Sequence, residues 1–239
     1  YDMRHLIDVF ADTDSVVELR PDFAPGMITA FVRVEGRPLG LIANDPKVLG
    51  GAIDAAGADK ASRFMQLCDA FDLPMVSFCD TPGFMVGPEE EETAMVRHTC
   101  RMFVTAASLT VPLFSLVTRK GYGLGAQGMT GGSFHAPFFC ASWPSGEFGG
   151  MGLEGAVNLA YKKELDAQET PEKREALFKE LVGKLYERGE ALSMAAALEI
   201  DAVIDPSDSR AWVLRGLRAA PKGGREPIAG KKRPMIDTW

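Results

Sequence analysis

Two apolar stretches near the start of the chain show the pattern of β-strands. In residues 28–34 the apolar side chains recur at every second position, and a second apolar run covers residues 39–43. A short polar segment at 35–38 separates the two runs. Alternation with a period of two residues is typical of half-buried strands, so the pattern predicts a β-hairpin.

Beyond the hairpin, helical and strand patterns alternate along the chain. Ala61, Phe64, Cys68 and Phe71 have helical spacing on one face, and their helix is predicted to end before Pro74. The later predictions are, in order, a buried strand at 74–80, a helix at 89–109, a strand at 111–118, a strand at 138–143, helices at 154–165 and 170–189, and a last strand and helix within 201–220. This alternation predicts an α/β fold with a largely parallel sheet.

The second helix and the long helix carry specific signals. Val96, Thr99, Phe103 and Ala106 share one predicted helical face, preceded by the acidic run 89–92, which suits the positive start of a helix. In the helix at 170–189, Thr170 is predicted to be the N-cap and Pro171 the first helical residue. Leucines at 177, 181 and 185 then lie on one face, which predicts an amphipathic packing helix.

Composition and charge narrow the classes of protein. The chain has 239 residues, 46% of them hydrophobic, and a formal net charge of −7, which argues against general affinity for nucleic acid or anionic lipid. It has no apolar stretch of membrane-spanning length and no signal-like start, so we expect no membrane partner and a cytoplasmic location. A first residue other than Met suggests a piece of a longer polypeptide. The basic residues near the end are interpreted as a solvated tail: Lys222, Arg225, Lys231, Lys232 and Arg233.

Two segments follow predicted strands, where ligands bind in open α/β sheets. One is "DTPGF" at 80–84, and the other is "RKGYGLGAQGM" at 119–129. Gly123, Gly125 and Gly128 have the G-x-G-x-x-G spacing of a dinucleotide site, with Glu147 at a suitable distance for a ribose. However, later Gly and Pro residues leave about two turns of helix, and four residues separate the predicted strand from the first glycine. An NAD-binding module therefore stays as an alternative.

The glycines also suit another chemistry. The first amides of a helix lack intrahelical acceptors, and glycines without Cβ atoms let a substrate oxygen approach them, so Gly123 and Gly125 predict an oxyanion hole. The three histidines are scattered, no Ser-His-Asp order is present, and the four cysteines and the acidic run form no metal-ligand pattern. We therefore expect backbone amides to carry much of the chemistry and no metal to take part.

Several longer motifs together resemble one family, the carboxyltransferase subunits of biotin-dependent acyl-CoA carboxylases, in their C-terminal half. The motifs are "YDMR", "GLIANDPKVLGGAIDAAGADKASRFMQLCDAFDLPMVSFCDTPGFMVG", "VTRKGYGLGAQGM" and "WPSGEFGGMGLEGAV". The resemblance implies a crotonase-like ββα superhelix (the ClpP/crotonase fold), formed as one domain over residues 1–239. It also implies that the family's N-terminal half is absent from this chain.

The resemblance further implies a transfer of CO2 from carboxybiotin to the α or vinylogous carbon of an acyl-CoA. The backbone amides of Leu124 and Gly125, introduced by Gly123, would stabilise the ureido oxygen of biotin. The rest of the implied biotin and substrate site is Thr81, Pro82, Gly83, Phe84, Tyr122, Ala126, Gln127, Gly150, Met151 and Gly152. Implied partners are the N-terminal half or subunit, a biotin carboxyl carrier, a biotin carboxylase and further copies of the chain. Alternatives are a crotonase-like or decarboxylating relative and an inactive scaffold.

One short segment departs from the propionyl- and acetyl-type members of the family. They usually carry Gly-Ala-Tyr-Asp where this chain has Leu124, Gly125, Ala126 and Gln127. The loss of the acid argues against a short straight-chain substrate, and the segment is more similar to the methylcrotonyl- and geranyl-type members.

Overall fold

The computed structural model describes residues 1–220 and 236–237. The predicted basic tail lies outside these residues. The helices are α1 (Met3–Phe10), α2 (Ala55–Ala70), α3 (Pro88–Glu92), α4 (Met95–Ala107), α5 (Gly123–Met129), α6 (Leu153–Ala160), α7 (Lys162–Asp166), α8 (Pro171–Gly189), α9 (Ala191–Ala196) and α10 (Ser209–Ala219). The strands are β1 (Val17–Glu18), β2 (Met27–Val34), β3 (Arg37–Asn44), β4 (Met75–Thr81), β5 (Leu113–Tyr122), β6 (Phe139–Ser142), β7 (Glu147–Gly149) and β8 (Ala202–Val203).

The strands of the described residues form one mixed sheet in the order β1-β2-β3-β4-β5-β6-β8, with β7 also paired to β5. β2 and β3 are antiparallel, which confirms the predicted hairpin. Every pairing from β3 onward is parallel. The predicted α/β class and the largely parallel sheet are therefore confirmed.

The two faces of the sheet bury separate apolar layers. All seven residues of β4 are buried, and alternate ones point to opposite sides. Val76 and Phe78 join the layer under α1 and α10, whereas Met75 and Cys79 join the layer under α2, α4 and α5. Fully buried parallel strands need helices on both faces, and the alternating sequence supplies them. The helix α5, which carries the glycine motif, is thus fixed on a rigid base.

The register between the two central strands shifts at their carboxyl ends. Cys79 pairs with Val117, but the next pair is Thr81 with Gly121. A single residue of β4, Asp80, therefore lies opposite three residues of β5, at 118–120. This bulge sets the position from which the chain enters α5.

Two predicted helices are each split in two. The helix predicted at 89–109 breaks at Ala94, whose φ of 58° is left-handed, so that the acidic residues form the separate helix α3. Of the predicted face, Ala106 is buried and Thr99 and Phe103 are half-buried, but Val96 is exposed, and Met95 and Met102 are buried beside them. The helix predicted at 154–165 ends at Ala160 and restarts at Lys162. In both cases no Gly or Pro marks the break.

The long helix α8 agrees with its prediction. The Thr170 side chain accepts a hydrogen bond from the N–H of Lys173, and Pro171 occupies the first turn. Gly189 is its single fully buried residue. Half-buried leucines at 177, 181 and 185 face the interior of this corner of the protein.

Candidate functional site

The glycine motif lies where β5 passes directly into α5. β5 extends to Tyr122, so the four-residue spacer expected between strand and glycine does not exist. α5 itself has seven residues, which agrees with the predicted two turns. We call Gly123, Leu124 and Gly125, together with the facing Gly83 and Gly150, the glycine corner.

Gly123 enters the helix with a left-handed backbone. Its φ is +57°, a conformation that costs an L-residue about 1–2 kcal/mol. A Cβ atom at this position would lie 2.8 Å from the carbonyl oxygen of Gly150. Both the conformation and the space therefore require glycine here.

Gly125 packs directly against the loop after β4. A Cβ atom on Gly125 would lie 2.6 Å from the carbonyl carbon of Gly83 and 3.0 Å from the nitrogen of Phe84. That loop is held in place, because the Thr81 hydroxyl accepts from the Gly83 N–H at 3.1 Å and the Gly83 carbonyl accepts from the N–H of Ile53 at 3.0 Å. The approach of two backbones thus brings the "DTPGF" and glycine segments together, as the sequence predicted.

The start of α5 has free hydrogen-bonding capacity. No side chain caps it, and within residues 1–220 and 236–237 no loop carbonyl accepts from the N–H of Leu124 or Gly125. The Leu124 side chain is 60% exposed, so it does not fill the corner from inside. N–H groups at a helix start attract negative oxygen atoms. The corner can therefore stabilise an oxyanion.

Tyr122 and Glu147 form a pair beside the corner. The Tyr122 hydroxyl donates to Glu147 Oε2 at 2.8 Å. Burial, assisted by this hydrogen bond, raises the pKa of the Tyr122 hydroxyl well above its ordinary value, so the phenol stays neutral. Glu147 is the acid that a ribose would need, and it is already engaged. Together with the short α5, this disfavours the NAD alternative.

A cavity of about 460 Å³, which we call the site cavity, opens beside the corner. Three of the predicted site residues line it: Gly123, Gln127 and Gly150. The other lining residues were not predicted as site residues: Phe134, Phe148, Gly149, Leu153, Ala156, Leu185, Arg188, Gly189, Met194 and Glu199. Their sole sequence signal was the half-apolar face of α8, because α9 was not predicted at all.

The other predicted site residues take varied positions. Ala126 is fully buried in the apolar layer under α5, so only its backbone is available. The ring of Phe84 lies between α5 and α4, 6.3 Å from the ring of Phe103. Pro82 is partly buried, Met151 is exposed at the surface, and Gly152 precedes the first turn of α6.

A group of charged and polar side chains, which we call the carboxylate cluster, was not predicted. At its centre the fully buried Asp80 carboxylate accepts from the Tyr1 hydroxyl at 2.8 Å and from the Lys120 N–H at 3.2 Å. The Arg119 guanidinium pairs with the same carboxylate at 3.1 Å and lies over the Tyr1 ring. Thr118 completes the cluster through the Tyr1 hydroxyl at 3.0 Å.

The carboxylate cluster occupies the bulge between β4 and β5. Asp80 lies one residue before Thr81, and Lys120 lies three residues before Gly123. The Lys120 ammonium also reaches the Gly50 carbonyl. A buried carboxylate at the carboxyl end of a strand was visible in "FCDTPGF", but its partners could not be read from the sequence.

Two further observations concern other classes of site. Within the described ranges, no group of three or more His, Cys, Asp and Glu side chains is placed to hold a metal ion. None of the helices in that part of the chain combines the length and the apolar character needed to cross a membrane.

Comparison with protein families gives one domain-length match. The model of the carboxyl transferase domain family matches residues 1–236. Among curated proteins, the propionyl-CoA carboxylase beta chain of Saccharopolyspora erythraea is 36% identical over 239 residues, which are 99% of this chain and 43% of that protein. The chain spans less than half the length of the curated relatives it matches.

Solved structures give the same result. A single-chain, multi-domain long-chain acyl-CoA carboxylase is 55% identical, with a TM-score of 0.82 over 90% of this chain and 21% of that one. The transcarboxylase 12S subunit, a hexamer with methylmalonyl-coenzyme A bound, is 33% identical, with a TM-score of 0.84 over 95% of this chain and 45% of that one. These likenesses confirm the predicted crotonase-like fold.

Proposed function

This chain belongs to the carboxyl transferase domain family, and we propose that it supplies the biotin-side half of an acyl-CoA carboxyltransferase site. The observation that carries this proposal is the glycine corner. Two N–H groups at the start of α5 are free of caps, and they lie between two loops that approach without side chains. Such a corner suits a reaction in which negative charge develops on an oxygen atom.

The corner fits the ureido group of biotin by its chemistry, since a carbonyl oxygen that gains charge needs two converging donors. When bound in its carboxylated form on a carrier, biotin supplies the carboxyl group. The N–H groups of Leu124 and Gly125 would donate to the ureido oxygen, and Gly123 orients them through its left-handed backbone. One such donor contributes about 3 kcal/mol to transition-state stabilisation.

The remaining site residues form the walls of the cleft. Thr81, Pro82, Gly83 and Phe84 close one side of the corner, and Gly150, Met151 and Gly152 close the other. Tyr122 orients the entry to α5 through Glu147, Ala126 contributes its backbone, and Gln127 faces the site cavity. The loops on both sides approach the donors through glycine backbone, so no side chain stands in front of them.

The chain needs partners to complete this reaction. Since it spans less than half the length of its relatives, we assign the CoA side of the site to an N-terminal half or subunit. A biotin carboxyl carrier and a biotin carboxylase would supply the carboxylated cofactor. The hexameric 12S neighbour supports a homo-oligomeric assembly in which the two halves meet.

The comparisons also bear on the acyl group. Identity is 55% to the long-chain acyl-CoA carboxylase and 36% to the propionyl-CoA carboxylase beta chain. Gln127 replaces the acid expected of short-chain members. Both facts support an acyl group longer than propionyl.

A transfer assay tests this function. The complete carboxyltransferase that contains this chain is mixed with carboxylated carrier and an acyl-CoA, and the carboxylated acyl-CoA is quantified. Product that requires both the carrier and the thioester is expected. Decarboxylation of an acyl-CoA without biotin would instead favour the crotonase-like alternative, and micromolar binding of NADH would favour the dinucleotide module.

A further inference from the structure

We propose that the site cavity binds the aliphatic tail of the acyl group, so that its apolar walls set the chain length of the accepted acyl-CoA. This inference rests on the proposed carboxyltransferase function and deepens it, because it names the part of the substrate that this chain recognises. The ligand class is an aliphatic hydrocarbon chain attached to a thioester.

The walls of the cavity have the chemistry that such a chain requires. Phe134 and Phe148 meet edge to face with ring centroids 5.3 Å apart, and Phe148 is 2% exposed. Leu153 from α6, Leu185 from α8 and Met194 from α9 add aliphatic and thioether surface. A volume of about 460 Å³ lies within the range of small-molecule sites, which are mostly apolar.

The cavity is continuous with the glycine corner. Gly123 and Gly150 belong to both, and Gln127 lies on the next turn of α5. An acyl group whose α carbon meets the carboxylated cofactor held at the corner therefore has an apolar space directly beside it. The tail can pass from the corner into this space directly.

The polar groups of the cavity lie at its margin. Gln127 stands on the corner side, whereas Arg188 and Glu199 are exposed. These three are the hydrogen-bonding side chains among the lining residues. A bicyclic urea would need converging polar partners in the interior, whereas a hydrocarbon tail needs none. Each methylene that it buries favours binding by about fourfold.

Two variants that narrow the cavity from different helices test this inference. Met194→Trp and Leu185→Phe are made in the complete carboxyltransferase, and kcat/KM is measured with palmitoyl-CoA and with propionyl-CoA. We expect the palmitoyl-to-propionyl ratio to fall at least tenfold in Met194→Trp and to fall in the same direction in Leu185→Phe. Activity with propionyl-CoA should fall less than activity with palmitoyl-CoA, because the short acyl group reaches fewer of the cavity walls.

Leu192→Trp is the matched control. Leu192 lies on α9 two residues from Met194, but its side chain is 68% exposed. Its ratio should equal that of wild type. Assembly of all variants is checked by gel filtration. If Met194→Trp does not assemble, Leu185→Phe still tests the inference.

Three outcomes overturn the inference in distinguishable ways. A ratio that is unchanged in assembled variants shows that the tail lies elsewhere. A parallel loss with both thioesters, together with slower carboxybiotin decarboxylation in the absence of acyl-CoA, shows that the cavity holds biotin instead. A wild-type protein that carboxylates neither thioester and does not decarboxylate carboxybiotin refutes the proposed function itself, whereas one that decarboxylates carboxybiotin but does not carboxylate palmitoyl-CoA refutes this inference alone.

Discussion

The glycine corner and the carboxylate cluster lie at the ends of the same two strands, yet they are built in opposite ways. The corner consists of backbone atoms, and its glycines are required because a Cβ atom at Gly123 or Gly125 would clash with the facing backbone. The cluster consists of side chains around Asp80, and each member contributes a hydrogen-bonding or charged group to it. The cluster bridges the bulge of β5, and the corner begins three residues later.

The difference separates two kinds of sensitivity. The corner should fail when a side chain is added, because two backbones already touch. The cluster should fail when a side chain is removed, because a buried carboxylate or a buried donor loses its partner. Damage to the corner should appear first in activity, whereas damage to the cluster should appear first in stability.

The largest effect is expected from Gly125→Val. The added Cβ would lie 2.6 Å from the Gly83 carbonyl carbon, so the loop after β4 or the start of α5 must shift. Loss of one aligned donor costs about 3 kcal/mol in the transition state, which corresponds to at least a hundredfold lower kcat. The transfer assay on the complete protein measures this loss.

Gly183→Val is the control for that variant. Gly183 is exposed on α8, and a Cβ there meets no atom within 4 Å. It should keep wild-type kcat within a small factor. Full transfer activity in Gly125→Val would mean that the amides of α5 do not act as the oxyanion donors.

The second effect concerns Asp80→Ala. The change removes the acceptor of the Lys120 N–H and the Tyr1 hydroxyl, together with the partner of Arg119. Because Arg119 is 41% exposed and can be rehydrated, the expected loss is about 2–3 kcal/mol in the free energy of unfolding. Urea denaturation measures it.

Asp166→Ala is the comparison for this loss. Asp166 pairs with Lys162 at 2.7 Å on the surface of α7, where a solvated pair contributes little to stability, so its loss should be far smaller than that of Asp80→Ala. Equal destabilisation by the two substitutions would show that the bulge does not depend on Asp80. The comparison of corner and cluster would then lose its basis.

The third prediction distinguishes two costs of a side chain at Gly123, namely the left-handed backbone conformation and the steric clash with Gly150. Gly123→Ala adds a left-handed alanine and places its Cβ 2.8 Å from the Gly150 carbonyl oxygen. Gly36→Ala likewise places an alanine in the left-handed conformation, at φ +73°, but its Cβ would have no atom within 4 Å. Gly36→Ala should cost about 1 kcal/mol in unfolding free energy, and Gly123→Ala should cost more. Equal losses would assign the whole effect to backbone conformation.

Local sequence signals were sufficient to predict those helices and strands that have a clear apolar pattern or capping residues. The hairpin follows from apolar alternation, and α8 follows from Thr170 and Pro171. The break at Ala94 was not predictable in this way, because alanine favours continued helix and only tertiary packing can hold it at φ 58°. The same limit explains why Val96 was placed on the buried face of α4, although its side chain is exposed.

The candidate site also has a part that was predictable from the sequence and a part that was not. Its backbone half was predictable, since glycines after a strand mark positions where side chains cannot fit. Its side-chain half was not, because Tyr1 and Thr118 lie 79 and 38 residues from Asp80 in sequence, and no periodic pattern links them. The cavity walls likewise combine four helices whose contacts depend on the folded chain.

The smallest effect is expected from Tyr1→Phe, which removes one donor and leaves the rest of the carboxylate cluster in place. The Tyr1 hydroxyl donates to Asp80 at 2.8 Å, and burial raises the pKa of this phenol well above its ordinary value, so it remains a donor at neutral pH. Asp80 keeps its bonds to Arg119 and to the Lys120 N–H, and the phenylalanine ring can still lie under the guanidinium. We therefore expect a loss of about 1 kcal/mol in unfolding free energy with kcat unchanged, measured by urea denaturation and the transfer assay. A fall in kcat without a fall in stability would place the hydroxyl among the groups that act on the reaction, and the division between an active corner and a supporting cluster would fail.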